Sequence, residues 1–242
     1  MRNLMRTLAA GLTLTAPAWA DVEALRAQND PGVESFFSVD FGTGARSASI
    51  ARTDLVLSVE RPDVSASFLR YYQDVDALLI PTPFGDVSTG PITVEIVSTP
   101  TLGELVDAGE GSYEFTTTDT YSVSFTEDLS ALGLTSPVLL DSTTTGTVAF
   151  DGAETGTISM VWQGAGVIGE PGNEIPFEYE CRVNTRFSTQ AGDVDLDGGV
   201  TLTDLGIVLS DFGCATSCIG DLDGSGATDL TDLNEVLASY GQ

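Results

Sequence analysis

Near its C-terminus the chain repeats one twelve-residue phrase at an offset of 28: D-V-D-L-D-G-G-V-T-L-T-D from Asp193 to Asp204, then D-L-D-G-S-G-A-T-D-L-T-D from Asp221 to Asp232. Each copy places oxygen-bearing side chains at positions 1, 3, 5, 9 and 12, with Gly at position 6. Side chains at alternate loop positions converge on one point only if the backbone turns sharply between them, and Gly198 and Gly226 permit such a turn. Behind the loops, Leu205, Val208, Leu209 and Phe212, and then Leu233, Val236, Leu237 and Tyr240, fall at i, i+3, i+4 and i+7, the spacing of one helix face. Gly213 and Gly241 follow where a helix C-cap is expected. Residues 188–192 have neither the length nor the periodicity of a helix, so each unit is predicted to be a loop running into a helix with none leading in.

Oxygens converging around a glycine turn form the EF-hand calcium pattern, because Ca2+ takes six to eight oxygen ligands at about 2.3–2.6 Å. In the first loop the expected ligands are Asp193, Asp195, Asp197 and Asp204, the Gly199 carbonyl, and Thr201 directly or through water. In the second they are Asp221, Asp223, Ser225 and Asp232, the Ala227 carbonyl, and Asp229 through water. Two Ca2+ ions are therefore expected. A single Asp-rich turn can be a merely solvated loop, but two copies in register with matching helices argue against that. Four carboxylates crowd each loop and repel one another without a cation. Calcium is thus expected to be a folding requirement of this segment.

Two such loop-helix repeats in residues 192–241, with Asp at loop position 12, resemble a bacterial type I dockerin. The resemblance implies a small all-α module that docks onto a cohesin-like domain of a scaffold protein, bringing polysaccharide-degrading enzymes or other secreted modules into a shared complex. It says nothing about the fold of the rest of the chain. Family contacts to cohesin involve polar residues at loop positions 10 and 11 and a basic residue about a turn later. Here those positions are Leu202-Thr203 and Leu230-Thr231, and no basic residue follows Arg186.

The chain carries 36 acidic residues against nine basic ones, all Arg, with no His and a net charge of -27. Such a chain repels nucleic acid and anionic lipid, so neither is expected as a partner. Without His or Lys there is no Ser-His-Asp triad, His-ligated zinc, Schiff-base lysine or Walker-type phosphate loop. Any chemistry here runs on carboxylates, hydroxyls or bound metal.

Residues 1–20 read as a secretory signal: Arg2 and Arg6 precede an apolar run from Leu8 to Leu14, and Ala18-Trp19-Ala20 gives a small-x-small cleavage pattern. The run is shorter than the roughly 20 residues a bilayer requires, and no later stretch reaches that length, so no membrane insertion is expected. The mature product is expected to be secreted, extracellular or held at the cell surface through a partner. Composition changes near Gln190, since residues 191–242 contain ten acids, no Arg, and only Phe212 and Tyr240 as aromatics. The expected domains are 1–20, 21–190 and 191–242.

Residues 21–190 alternate apolar and polar with period two: Leu55, Leu57, Val59; Ile92, Val94, Ile96; Tyr113, Phe115; Tyr121, Val123, Phe125 after a Thr-rich break; Val148, Phe150; Ile158, Met160, Trp162; and Phe177, Tyr179, Cys181, Val183, Phe187. Gly and Pro clusters such as 81–85 and 169–172 separate the runs. Only 21–29 and 66–76 have a helical look. Half-buried strands with polar outer faces mean antiparallel sheets, and the expected fold is mainly β, an antiparallel β-sandwich or jelly roll followed by the small all-α module.

Two chemistries are open to this β domain. Glu178 and Glu180, two apart on a strand, lie about 6.5–7 Å apart, within reach of both sides of a glycosidic bond. Arg182 and Arg186 share that face, however, so a ladder of opposite charges explains the acids without catalysis. For carbohydrate binding, Phe36, Phe37, Tyr71, Tyr72, Phe84 and Trp162 are the aromatics that could stack on sugar rings, one of each adjacent pair being free to face outward. The reading is a secreted calcium-binding protein whose tail mediates protein–protein attachment and displays a binding or structural β module, with polysaccharide a potential partner. The alternative is a glycoside hydrolase component of a cellulosome-like complex. For the cysteines, export makes a Cys214–Cys218 disulfide the natural expectation, with free thiols the alternative in so short a ring, and Cys181 is expected as a buried, inert thiol.

Overall fold

A computed structural model describes residues 22–30, 32–60, 65–82, 85–98, 102–151, 154–168, 172, 174–215, 218–223 and 225–241. The signal reading for residues 1–20 and the aromatic candidate Phe84 lie outside the described residues. The strands are β1 Val22–Asn29, β2 Phe36–Asp40, β3 Arg46–Glu60, β4 Ser65–Val75, β5 Leu79–Thr82, β6 Gly85–Ser88, β7 Ile92–Ile96, β8 Gly103–Gly109, β9 Ser112–Phe125, β10 Val138–Phe150, β11 Thr155–Ile168 and β12 Ile175–Ser188. Two helices follow, α1 Leu202–Asp211 and α2 Leu230–Ser239. Among the described residues no helix is long and apolar enough to cross a membrane.

The protein is mainly β, and every strand pairing is antiparallel. All strands but the β5–β6 hairpin belong to one ten-stranded sheet. β1 and β2 share a single place between β3 and β12, and β7 with β8 share one between β4 and β9. Because β3 also pairs with β4, the sheet runs in chain order around eight places and closes on itself. The expectation of an antiparallel β domain holds. Two sheets stacked face to face are replaced by one sheet curled around a single core, which among the described residues leaves no unpaired edge around its circumference.

Period-two alternation decides which side chains enter that core. Leu55, Leu57, Val94, Phe115, Tyr121, Ile158, Met160, Trp162, Tyr179, Cys181, Val183 and Phe187 are all buried in one cluster. At its centre Trp162 stacks on Tyr121, with ring centroids 4.3 Å apart, and donates its indole N–H to the Tyr71 hydroxyl at 2.8 Å. Room for the rings comes from glycines on the neighbouring strand: Gly146 pairs with Phe115, Gly156 with Phe187, Gly164 with Tyr179 and Gly166 with Phe177. A Cβ at any of the four would fall within 2.8 Å of the ring atoms of its partner. Small residues thus alternate with large ones inside the closed sheet, as filling a tapering barrel requires.

Three local expectations are corrected. The stretches 21–29 and 66–76, which look helical in sequence, are occupied by β1 and β4, because tertiary pairing overrides local propensity. The Thr-rich stretch after Phe115 is not a break, since β9 runs unbroken through it with Thr117 and Asp119 buried on the inner face. Trp162 is fully buried and so presents no surface to a sugar.

Candidate metal centre

Each loop is shaped by its own carboxylates. In the first, Asp193 accepts the Gly198 N–H at 2.9 Å and the Asp197 N–H at 3.2 Å, and Asp204 at position 12 accepts from Val194 at 2.7 Å, Asp195 at 3.2 Å and Thr201 at 2.8 Å. The second loop repeats the scheme, with Asp221 accepting from Gly226 at 3.0 Å and Asp232 from Leu222 at 2.6 Å, Asp223 at 3.1 Å and Asp229 at 2.7 Å. Gly198 and Gly226 both adopt φ +92°, a backbone conformation that L side chains rarely take, so the sixth position of each loop belongs to glycine. The turn expected from the repeat is therefore present twice with the same geometry.

The loops run directly into their helices, as the spacing predicts. Thr201 and Asp204 form a capping box at the start of α1, and Asp229 and Asp232 form one at α2. Val194, Val200, Val208 and Val236 pack into a small core between the helices. Gly213 and Gly241 follow the helices with φ +85° and +77°. The connection is closed by a Cys214–Cys218 disulfide, and Asp211 accepts the Gly220 N–H and the Thr228 hydroxyl, each at 2.7 Å.

The carboxylates gather in two groups whose candidate ligand oxygens lie within 4.8 Å of one another: Asp193, Asp195 and Asp197 in the first loop, and Asp221, Asp223 and Asp232 in the second. Burial, followed by the nearby charges of Asp204 and Asp197, pushes the Asp195 carboxyl up. Asp204 also feels burial, but the N–H groups of Thr201, Asp195 and Val194 outweigh it and hold the carboxyl below its usual value. The position-9 side chains of Thr201 and Asp229 turn toward the helix N-termini, accepting from Thr203 at 3.1 Å and Thr231 at 2.7 Å. In the second loop the Ala227 carbonyl accepts the Ser225 hydroxyl at 3.2 Å, and in the first the Gly199 N–H points to Asp197 at 3.0 Å.

One oxygen fits a cation particularly well. The Asp221 residue is 1% exposed, its Oδ2 is engaged by Gly226, and its Oδ1 is buried with no hydrogen-bond partner. A buried, unpartnered carboxylate oxygen is costly unless something positive meets it, and this one sits in a three-carboxylate group of hard oxygen donors suited to Ca2+.

Sequence reasoning missed what lies beside that oxygen. Arg26, Arg52 and Arg70 project from the outer face of the sheet onto the segment 218–221 that leads into and opens the second loop: Arg26 donates to the Asp221 carbonyl at 2.9 Å, Arg52 to the Cys218 carbonyl at 2.8 Å, and Arg70 to Asp221 Oδ2 at 3.0 Å. Arg70 also pairs with Asp54 at 2.7 Å. Strand register explains the convergence, because Arg26 lies opposite Val56 and Val56 opposite Arg70, with Asp54 two residues along on the same face. Burial lowers the pKa of Arg26, opposed by the charges of Asp54 and Asp221. The only sequence signal was the scarcity of positive charge, which makes any three arginines in one place notable.

The other candidates are dispersed. Glu178 and Glu180 lie on the outer face of β12, where Glu180 pairs with Arg182 at 3.1 Å. Phe37 and Tyr71 are buried, and their neighbours Phe36 and Tyr72 face outward beneath the guanidinium groups of Arg182 and Arg52. Cys181 is a buried free thiol whose pKa burial raises strongly. No family model matches the chain, and no curated protein is significantly similar to it.

Proposed function

We propose that residues 191–242 form a calcium-built, dockerin-like attachment module and that the closed β domain is the cargo it carries. The observation that carries this reading is a matched set of exposed apolar residues at the 28-residue offset. Leu202 and Leu230 are 70% and 64% exposed, Leu209 and Leu237 54% and 52%, and Phe212 and Tyr240 48% and 46%. Near-equal exposure at three equivalent positions means that each helix turns the same apolar surface to solvent. Clustered apolar side chains left in water favour a protein partner, and a partner of the cohesin type, approached mainly through apolar contacts, suits Leu202 and Leu230 where polar residues stand in the family.

Two Ca2+ ions, one per loop, hold the helices in position in this reading. The loop oxygens would coordinate the ion, and the capping boxes at Thr201–Asp204 and Asp229–Asp232 fix each helix start against it. Export agrees with the Cys214–Cys218 disulfide, since such bonds persist in oxidising compartments. The experiment is a pull-down from culture supernatant with the full chain as bait, with and without calcium. A partner retained only with calcium, and lost in Leu202→Asp/Leu230→Asp, supports the proposal; no calcium-dependent partner overturns it.

A further inference from the structure

We propose that the β domain acts as a built-in counter-ion for the second loop, so that Arg70, with Arg26 and Arg52, does there part of what calcium does in the first. The inference rests on the calcium reading above and adds an asymmetry between two loops whose sequences look alike.

The chain has very few positive charges, and three of them meet one short segment, 218–221. Asp54 and Asp221 are each 1% exposed. Asp54 stands on the outer face of β3 beside the guanidinium groups of Arg52 and Arg70, which also reach the 218–221 segment. Arg70 lies between the two carboxylates, 2.7 Å from Asp54 and 3.0 Å from Asp221. Among the described residues no arginine contact of this kind reaches the first loop, whose Asp193 oxygens are met by backbone N–H groups alone.

Two consequences follow. Without metal, the like charges of the second loop are already partly offset by guanidinium groups, so the loop keeps its docked shape when calcium is removed, whereas the first loop has no such support. With metal, Ca2+ at Asp221 Oδ1 must share its carboxylate with a cation on Oδ2, and the positive cluster beside it weakens binding relative to the first loop. By reciprocity, calcium in the second loop loosens its hold on the sheet by the same factor.

The test uses the full chain. Hydrogen exchange read by mass spectrometry, with calcium and then with EDTA, should show amides of 193–204 losing protection at least tenfold more than those of 221–232. Isothermal titration should find two sites of unequal affinity, and Arg70→Gln should tighten the weaker one about tenfold while making 221–232 as sensitive to EDTA as 193–204. Calcium uptake with equal loss of protection in both loops overturns this inference and leaves the calcium reading standing; no uptake at all overturns both. The exchange comparison requires no variant, so it decides the matter even if Arg70→Gln fails to fold.

Discussion

Arg70 on β4 and Asp221 in the second loop meet at 3.0 Å across 151 residues of sequence. This contact ties together two halves of the chain that composition separates at Gln190. The sequence suggests a β domain and a tail sharing only a short join. With three arginines bridging them, calcium removal should leave the second loop held against the sheet.

Calcium stoichiometry gives the first prediction. Titration of the full chain should find two bound ions, and replacing Asp193 and Asp204 together with Asn should remove one and leave the other. Both residues are buried and together accept five backbone N–H groups, so their loss unmakes the first loop without touching the second. Two ions still bound by the double variant would refute the ligand assignment.

Asp54 supplies the second. It is the acidic partner of Arg70 and, at 3.7 Å, of Arg52, with its side chain 2% exposed. Asp54→Ala leaves guanidinium groups largely buried without that counter-charge and should cost about 3 kcal/mol, in line with breaking one side of a buried pair. Urea unfolding of the calcium-loaded chain measures this, and a loss below about 1 kcal/mol would place the pair among ordinary surface bridges.

The glycine–aromatic pairs lead to the third. A Cβ at Gly146 would lie 2.5 Å from Phe115 Cζ and 2.8 Å from Met160 Cβ. Gly146→Ala should therefore destabilise the β domain by about 2 kcal/mol through overpacking, with an unchanged denaturant slope. Gly42→Ala, at a site where nothing lies within 4 Å of the added atom, should lack this overpacking cost and carry only the strain of φ +80°. Equal losses at the two sites would mean that ring packing is not the cause.

The last concerns alkaline pH. Burial raises the pKa of Cys181, Tyr71 and Tyr121 in the folded chain. The folded state therefore keeps protons that the unfolded state releases, above about pH 8.5 for Cys and 10 for Tyr. Stability from these groups is complete below those values and falls as pH rises through them toward the folded pKa values. Urea midpoints should decline from about pH 8.5, and Cys181→Ala should move the onset up toward pH 10. In the native protein Cys181 should resist alkylation, while non-reducing mass spectrometry finds Cys214 joined to Cys218; ready labelling of native Cys181 would contradict its place in the core.

Where the sequence misleads, a specific residue shows why. In β4 the buried apolar side chains Phe68, Tyr71 and Val75 are spaced three and four apart, because the register shift opposite Val56 and Leu57 sends both Leu69 and Arg70 outward and because the inward position between Tyr71 and Val75 is the polar Gln73. Those intervals imitate a helix. In β1 the Glu, Ala, Leu and Arg residues favour a helix intrinsically, yet Leu25 and Ala27 are committed to the core by pairing with β3 and β12.

Patterns complete within a short stretch were determined by the amino-acid order: the alternation of Ile158, Met160 and Trp162, the helices behind each loop, and glycines 198 and 226 where φ is positive. Their cause is local, since pleat, helix pitch and turn geometry act over a few residues. The closure of one sheet, the placing of Gly146 beneath Phe115, and the meeting of Arg26, Arg70, Asp54 and Asp221 were decided by tertiary structure alone. Each depends on the register between strands distant in the chain, and register is fixed only when all the inner faces are buried at once.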